Sequence, residues 1–218
     1  MIQVFDVVKM YDGTNPVLDS FSMEITKGEF VFLTGSSGAG KTTILKILFG
    51  QERFEKGQVL VHGINVGNLT HKNMYTLRRF MGVVFQDYKL LPNKTVFENV
   101  AFAQEVIGRD RKTIQLKTWE ALKSVGLTPK KDTYPACLSG GEQQRIAIAR
   151  AMVNEPSIIL ADEPTGNLDP DISIEILKLF EELNKKGTTI VFATHSQEII
   201  KRGEYRIINL SQGKAFES

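Results

Sequence analysis

The chain has 218 residues, 42% of them hydrophobic and 24% charged, an ordinary composition for one globular domain with or without a small appendage. Its 27 basic against 25 acidic residues leave a net charge of +2, which argues against a nucleic-acid footprint. A single cysteine excludes an internal disulfide and points to a reducing compartment, and no apolar run approaches the roughly 18–20 residues that cross a bilayer.

The chain opens with MIQVFDVVKMYDG, where apolar residues alternate with Asp and Lys. That is not a signal peptide, so the expectation is a chain that stays on the side of the membrane where it is made. The same alternation over residues 2–11 predicts a half-buried strand. YDGTNP at 11–16 is a turn cluster, and 17–25 alternates again through Leu18, Phe21, Met23 and Ile25. FVFLTG is a continuous apolar run ending in glycine, the pattern of a strand buried on both faces in a parallel sheet. After the glycine-rich stretch at 35–43, Ile44, Leu45, Leu48 and Phe49 recur at helical spacing, and Gly50 supplies a stop.

GQVLVHGINV predicts a hairpin turning at His62 and Gly63. MGVVFQ, SIILADEP and TTIVFATH read as further buried strands, and YRIINLSQGKAFES as a closing hairpin. Between Tyr88 and Pro156 the texture becomes helical, over 96–106, 112–125 and 141–153, with no strand signal between. This predicts a helical insertion at roughly 88–155 between two strands. Asp169 followed by Pro170 is a helix N-cap with proline in the first turn; Ile172, Ile176, Leu179, Phe180 and Leu183 form the buried stripe of the helix it starts. The short basic runs KNMYTLRR and GRDRK are read as solvated faces. The fold class is α/β: a core with a mostly parallel sheet, an early antiparallel β appendage and an inserted helical region.

Gly35, Ser36, Ser37, Gly38, Ala39, Gly40, Lys41 and Thr42 fit the phosphate-binding pattern G-x-x-x-x-G-K-[ST], with Thr43 next in line. Glycines let successive amides turn toward phosphates, a helix N-terminus adds partial positive charge, Lys41 supplies a point charge and the Thr42 hydroxyl is a hard oxygen ligand for Mg²⁺. In IILADEP, Asp162 and Glu163 lie where a buried strand runs out. Strand alternation is expected to send them to opposite faces, Asp162 toward Mg²⁺ and Glu163 toward an attacking water as general base. Gln86 and His195 each end a strand, where ligands collect in open α/β sheets, but a bland structural role is as open to either alone. The same holds for Tyr11, whose ring could stack on a base or simply pack.

A second phosphate grip follows at 137–145, CLSGGEQQR. Ser139 is a good N-cap and its spacing to Glu142 makes a capping box. A helix start with exposed glycine amides is also an anion site, so capping and phosphate binding are compatible.

In their order along the chain, Tyr11, the glycine-rich loop, Gln86, LSGGEQQR, IILADE, GNLD and His195 resemble the nucleotide-binding domain of ABC transporters, over essentially the full length. The resemblance implies a P-loop NTPase of one domain, 1–218: a RecA-like parallel-sheet core, an antiparallel β-subdomain and an inserted α-helical subdomain. It implies ATP and Mg²⁺ as cofactors, with Thr42, Gln86 and Asp162 toward the metal and Glu163, His195 and Gln86 in catalysis. Tyr11 corresponds to the family's A-loop aromatic, 166–169 with Asp169 to its D-loop, and His195 to its switch histidine. It further implies a head-to-tail homodimer in which Ser139, Gly140, Gly141 and Gln143 of one copy contact the ATP held by the other. A separate integral membrane partner would dock on 86–102 and the helical insertion. The chain would then be peripheral on the cytoplasmic side of the inner membrane, touching it through that partner only. Within the family, VVFQDYKLLPNKTVFENVAF and LADEPTGNLDP look like the branch that serves cell division, regulating cell-wall hydrolases through a four-span partner. Lipoprotein-release and macrolide-efflux ATPases share ADEPTGNLD and are the alternative. Cys137, just before the signature, departs from the usual polar residue and is read as a packing residue rather than a redox switch.

Overall fold

The computed structural model describes residues 1–11, 13–202 and 204–217; Asp12 of the turn cluster and Ser218 of the closing hairpin lie outside them. In chain order the first half comprises β1 (Ile2–Met10), β2 (Pro16–Ile25), β3 (Phe30–Thr34), α1 (Lys41–Leu48), β4 (Lys56–Val61), β5 (Ile64–Asn65), α2 (Met74–Arg78) and β6 (Met81–Val84). The second half comprises α3 (Val96–Val106), α4 (Arg111–Ser124), α5 (Gly140–Met152), β7 (Ile158–Asp162), α6 (Pro170–Lys185), β8 (Thr189–Ala193), α7 (Gln197–Arg202), β9 (Arg206–Ser211) and β10 (Lys214–Glu217).

The alternating strands pair antiparallel in the order β2-β1-β4-β5, with Ile2 opposite Ile25 on one side of β1 and Val61 on the other. Their inward residues, Ile2, Val4, Val7, Leu18, Phe21 and Val59, are fully or almost fully buried. Asp6 breaks the alternation at φ 46 and the register shifts there, which leaves Phe5 and Asp6 both exposed. The β4–β5 hairpin turns on His62 and Gly63, both left-handed at φ 51 and 76, the requirement of a two-residue turn that matches strand twist.

The continuous apolar runs build the second sheet, β10-β9-β3-β8-β7-β6, parallel except for the β10 edge. Every residue of β3 and β8 is buried, because both faces are covered. Val31 and Leu33 join a core shared with α1 and the antiparallel sheet, while Phe30 and Phe32 join one shared with α3, α4, α5 and α6. On the latter face Phe32 meets Phe192 edge-on at 5.6 Å, and Phe180 meets Phe192 at 5.1 Å. The carboxyl ends of β3, β6, β7 and β8 thus converge on one rim, each followed directly by a candidate site segment.

The helices start where their caps are. Thr95 with Glu98 and Ser139 with Glu142 form reciprocal capping boxes, and Asp110 and Asp169 cap α4 and α6. The α6 stripe gains Leu177 beyond the expected residues, while Ile172 and Leu179 are only partly buried. Two short helices were not anticipated. KNMYTLRR, expected as a solvated run, contains α2, which buries Met74 and Leu77; α7 was hidden by its brevity. Cys137 is a correction: it is exposed, not packed. Pro135 starts a tight turn through Cys137 that holds the thiol outside, and Leu138 is the residue that enters the core.

Candidate active site

The loop after β3 is shaped by pressure from distant backbone. A side chain at Gly35 (φ 146) would place its Cβ 2.4 Å from the Leu210 carbonyl oxygen, and one at Gly40 (φ 110) would lie 3.1 Å from the Val17 carbonyl oxygen. Gly38 is left-handed at φ 78. The loop delivers the chain into α1, whose N-cap Gly40 offers no side-chain hydrogen bond and whose first turn has no acidic residue. The first amides of α1 therefore keep their donors and the positive end of the helix dipole for an anion. Lys41, only 6% exposed, donates from Nζ to the carbonyls of Gly35 (2.8 Å) and Ser36 (3.2 Å).

Opposite stand the two carboxylates. The Thr42 hydroxyl donates to Asp162 Oδ1 at 3.1 Å. Burial pushes the Asp162 carboxyl up from its ordinary range; neighbouring Glu163 adds to this, and the Thr42 hydrogen bond and Lys41 oppose it. The expected strand alternation is not what separates the pair. β7 ends at Asp162, and Glu163 is left-handed at φ 46, its N–H bonded to the Ala193 carbonyl at 2.9 Å. That turn, not the pleat, aims Glu163. Its Oε1 lies 2.9 Å from His195 Nδ1 and 3.4 Å from Lys41 Nζ, and its Oε2 accepts the His195 N–H at 3.4 Å. An ionised carboxylate only accepts, so this contact sets the proton on Nδ1 of His195.

A cavity of about 210 Å³ gathers these groups: Ser37, Gly38, Gly40, Lys41, Thr42 and Thr43 from the loop, with Gln86, Glu163 and His195 facing them. Tyr11, 57% exposed, stands at the rim with its hydroxyl 3.4 Å from Thr43 Oγ1 and Lys9 Nζ 4.9 Å from its ring centroid. Thr42 and Asp162 form a pair of hard oxygen donors beside the phosphate loop. Among the described residues no cluster of three or more His, Cys, Asp or Glu side chains could hold a metal alone. A cation here would need a substrate's own oxygens to complete its shell, which is how Mg²⁺ is usually held.

Ser139, Gly140, Gly141, Gln143 and Asp169 do not line that cavity. Ser139 is exposed at the start of α5 and Gln143 Nε2 donates to the Leu138 carbonyl at 3.0 Å. A Cβ at Gly141 would sit 2.8 Å from Ile172 Cγ2, and one at Gly140 would sit 3.1 Å from the Tyr88 hydroxyl. Asp169 accepts the Ile172 N–H at 3.4 Å. The backbone groups that sequence reading missed are the carbonyls of Leu210, Val17 and Ala193, which carry no local signal; at Gly166, in the expected D-loop, a Cβ would lie 3.9 Å from the Gln86 amide.

The ABC transporter family description fits residues 18–166. The chain is 49% identical over 214 residues to the cell division ATP-binding protein FtsE of Streptococcus pneumoniae, covering 98% of this chain and 93% of that protein. It is 47% identical over 213 residues to the protein of the same name in Bacillus subtilis (98% and 93% covered), and 45% identical over 213 residues to that in Escherichia coli K12 (98% and 96%). Among solved structures it resembles a post-hydrolysis dimer of the ATP-binding cassette MJ0796 bound to ADP and Pi, with a TM-score of 0.91 and 35% identity over 100% of this chain and 98% of that one.

Proposed function

The chain belongs to the ABC transporter family and is an ATPase of it, and from that premise we propose that it powers an FtsE/FtsX-type complex. In this reading, ATP-driven closure of a homodimer acts on an integral membrane partner of FtsX type that regulates cell-wall hydrolysis during cell division. The chain is peripheral on the cytoplasmic side of the plasma membrane; no helix among the described residues is long and apolar enough to cross it.

The observation that carries the dimer is the separation of the two phosphate grips. One cavity holds the P-loop, Gln86, Glu163 and His195, while Ser139, Gly140, Gly141 and Gln143 at the start of α5 do not line it. A second copy turned head to tail brings its Ser139, Gly140, Gly141 and Gln143 to the first copy's ATP, with Asp169 in the crossing segment. Within one copy, the amides of the loop and Lys41 hold the phosphates, and Tyr11 takes the base at the rim. Thr42, Asp162 and Gln86 would hold Mg²⁺, which supplies positive charge beside the transferring phosphate. Glu163 accepts the proton of the attacking water, and the Nδ1–H of His195 keeps its carboxylate aimed. Removing the γ-phosphate unties the two copies.

A second cavity, of about 380 Å³, lies between α3 and β6, with Phe102, Leu91, Phe85 and Met81 as apolar walls and Arg78 and Arg150 at its edges. It supports docking of the partner's cytoplasmic helix on 86–102 and the helical subdomain of roughly 88–155. The test is light scattering with ATP: Glu163→Gln is expected to hold a stable dimer that turns over slowly, by a factor of about 10²–10⁴. A variant that hydrolyses ATP at the parent rate, or stays monomeric, refutes the assignment. Membrane co-purification then separates a small four-span partner, expected here, from the large periplasmic partners of lipoprotein-release or efflux systems.

A further inference from the structure

We propose that the outer stripe of α4 is a contact for an anionic lipid surface, a second membrane contact beside the one made through the partner. Positions 112, 116, 119 and 123 repeat every three or four residues, so Lys112, Leu116, Trp119 and Lys123 share one narrow face of the helix. The opposite face is the one that packs, through Thr118, Ala121 and Leu122. Leu116 is 58% and Trp119 45% exposed, and both lysines are exposed as well. A single exposed apolar residue is unremarkable in a protein surface. An apolar pair bracketed by lysines one turn to each side is a different pattern: long lysine stems lie along apolar surface with their charges outward, and tryptophan favours the boundary between hydrocarbon and water.

Charge fixes the chemistry of the occupant. Arg109 and Arg111 add two more exposed cations at the start of the helix, and none of the four has an ion-pair partner among the described residues. Of the nearby acids, Glu120 pairs with Lys117 at 3.4 Å, Asp110 accepts the Lys112 and Thr113 amides as the helix cap, and Glu105 shares a groove with Arg109 and Arg111, so the two lysines of the stripe carry its positive charge. The orientation rests on the proposed partner groove, because α4 packs beside α3, whose Phe102 lines that groove and whose Val106 is 69% exposed.

Trp119 is the chain's only tryptophan, so its emission reports the contact directly. The full chain is mixed with vesicles of phosphatidylglycerol and phosphatidylcholine in equal parts, or of phosphatidylcholine alone. Expected are a blue shift and co-sedimentation with the anionic vesicles only, both lost at high salt. Each lysine near such a surface contributes about a fivefold factor, so Lys112→Gln/Lys123→Gln is expected to weaken vesicle partition about 30-fold with basal ATPase unchanged. Leu116→Ser is expected to reduce both the shift and the binding. Unshifted emission, equal binding to both vesicle types, or a double lysine variant that sediments like the parent overturns the proposal. So does a soluble protein segment that needs Leu116 while vesicles do not bind. Phe102→Asp separates the two readings: it should abolish capture of the membrane partner and leave vesicle binding intact. If it leaves capture intact, the groove assignment fails while the vesicle results still judge the stripe.

Discussion

Replacing Gly141 by alanine asks whether the signature serves this copy's nucleotide or another's. The new Cβ would stand 2.8 Å from Ile172 Cγ2, well inside van der Waals contact, and the neighbour is a β-branched side chain at the start of α6 with little freedom to turn away. Overpacking of this kind costs about 1–3 kcal/mol, and alanine in place of glycine in a helix returns at most about 1 kcal/mol. The net loss is about 1 kcal/mol, a fall in Tm of about 2–4 °C for a chain of this length. Because Gly141 lies outside the P-loop cavity, ATP affinity of the isolated chain should not change, whereas dimer formation and turnover should fall together. Calorimetric ATP binding, thermal melting and phosphate release measure the three effects. Ile172→Ala in the same chain should recover part of the stability, giving a coupling of about 1 kcal/mol. Weaker ATP binding by the monomer, or no recovery with Ile172→Ala, refutes the reasoning.

Lys41→Ala should abolish measurable ATP binding while leaving the fold intact, as judged by circular dichroism, since among the described residues Lys41 bonds only to two loop carbonyls and Glu163. His195→Ala should lower kcat by about 10²-fold, with ATP affinity near that of the parent, because it removes the group that aims Glu163 and none that holds phosphate; unchanged turnover counts against the pairing. The Lys130 ammonium and the Ser139 N–H, outweighing the opposing effect of burial, hold the Glu142 carboxyl below the usual carboxylate range. A depressed carboxylate stabilises above its unfolded pKa and loses that contribution as pH falls through its folded one. The stability advantage over Glu142→Gln is therefore expected in urea melts at pH 7 and should vanish in acid; an advantage that persists at pH 3 contradicts it.

The parts of this fold legible in the sequence are those with a short-range cause. Alternation marks β1 and β2 and continuous apolar runs mark β3, β7 and β8, because period and burial act on neighbouring residues. Caps at Ser139 and Asp169 are equally local. The aim of Glu163 was not legible, since it depends on a left-handed turn closed by the Ala193 carbonyl on another strand. Nor was the reason for Gly35, whose neighbour in space is Leu210. Cys137 was expected to pack, but the turn begun by Pro135 decides which residue of the segment goes in, and no local pattern announces that choice. α2 and α7 span five and six residues, too few turns for periodicity to stand out.

The strand order has a consequence for how the molecule comes into being. β8 lies between β3 and β7, and β9 covers the other edge of β3. Within the sheet, the strand that carries the phosphate loop and the one that carries the carboxylates are therefore joined only through a strand made more than 150 residues after the first of them. Glu163 has no carbonyl to turn on until Ala193 is in place, and Gly35 has no wall behind it until Leu210 arrives. A chain still emerging from the ribosome would carry the whole phosphate loop without a working centre. Interruption of synthesis anywhere before the last strands would thus leave an idle fragment rather than an ATPase running without its partners.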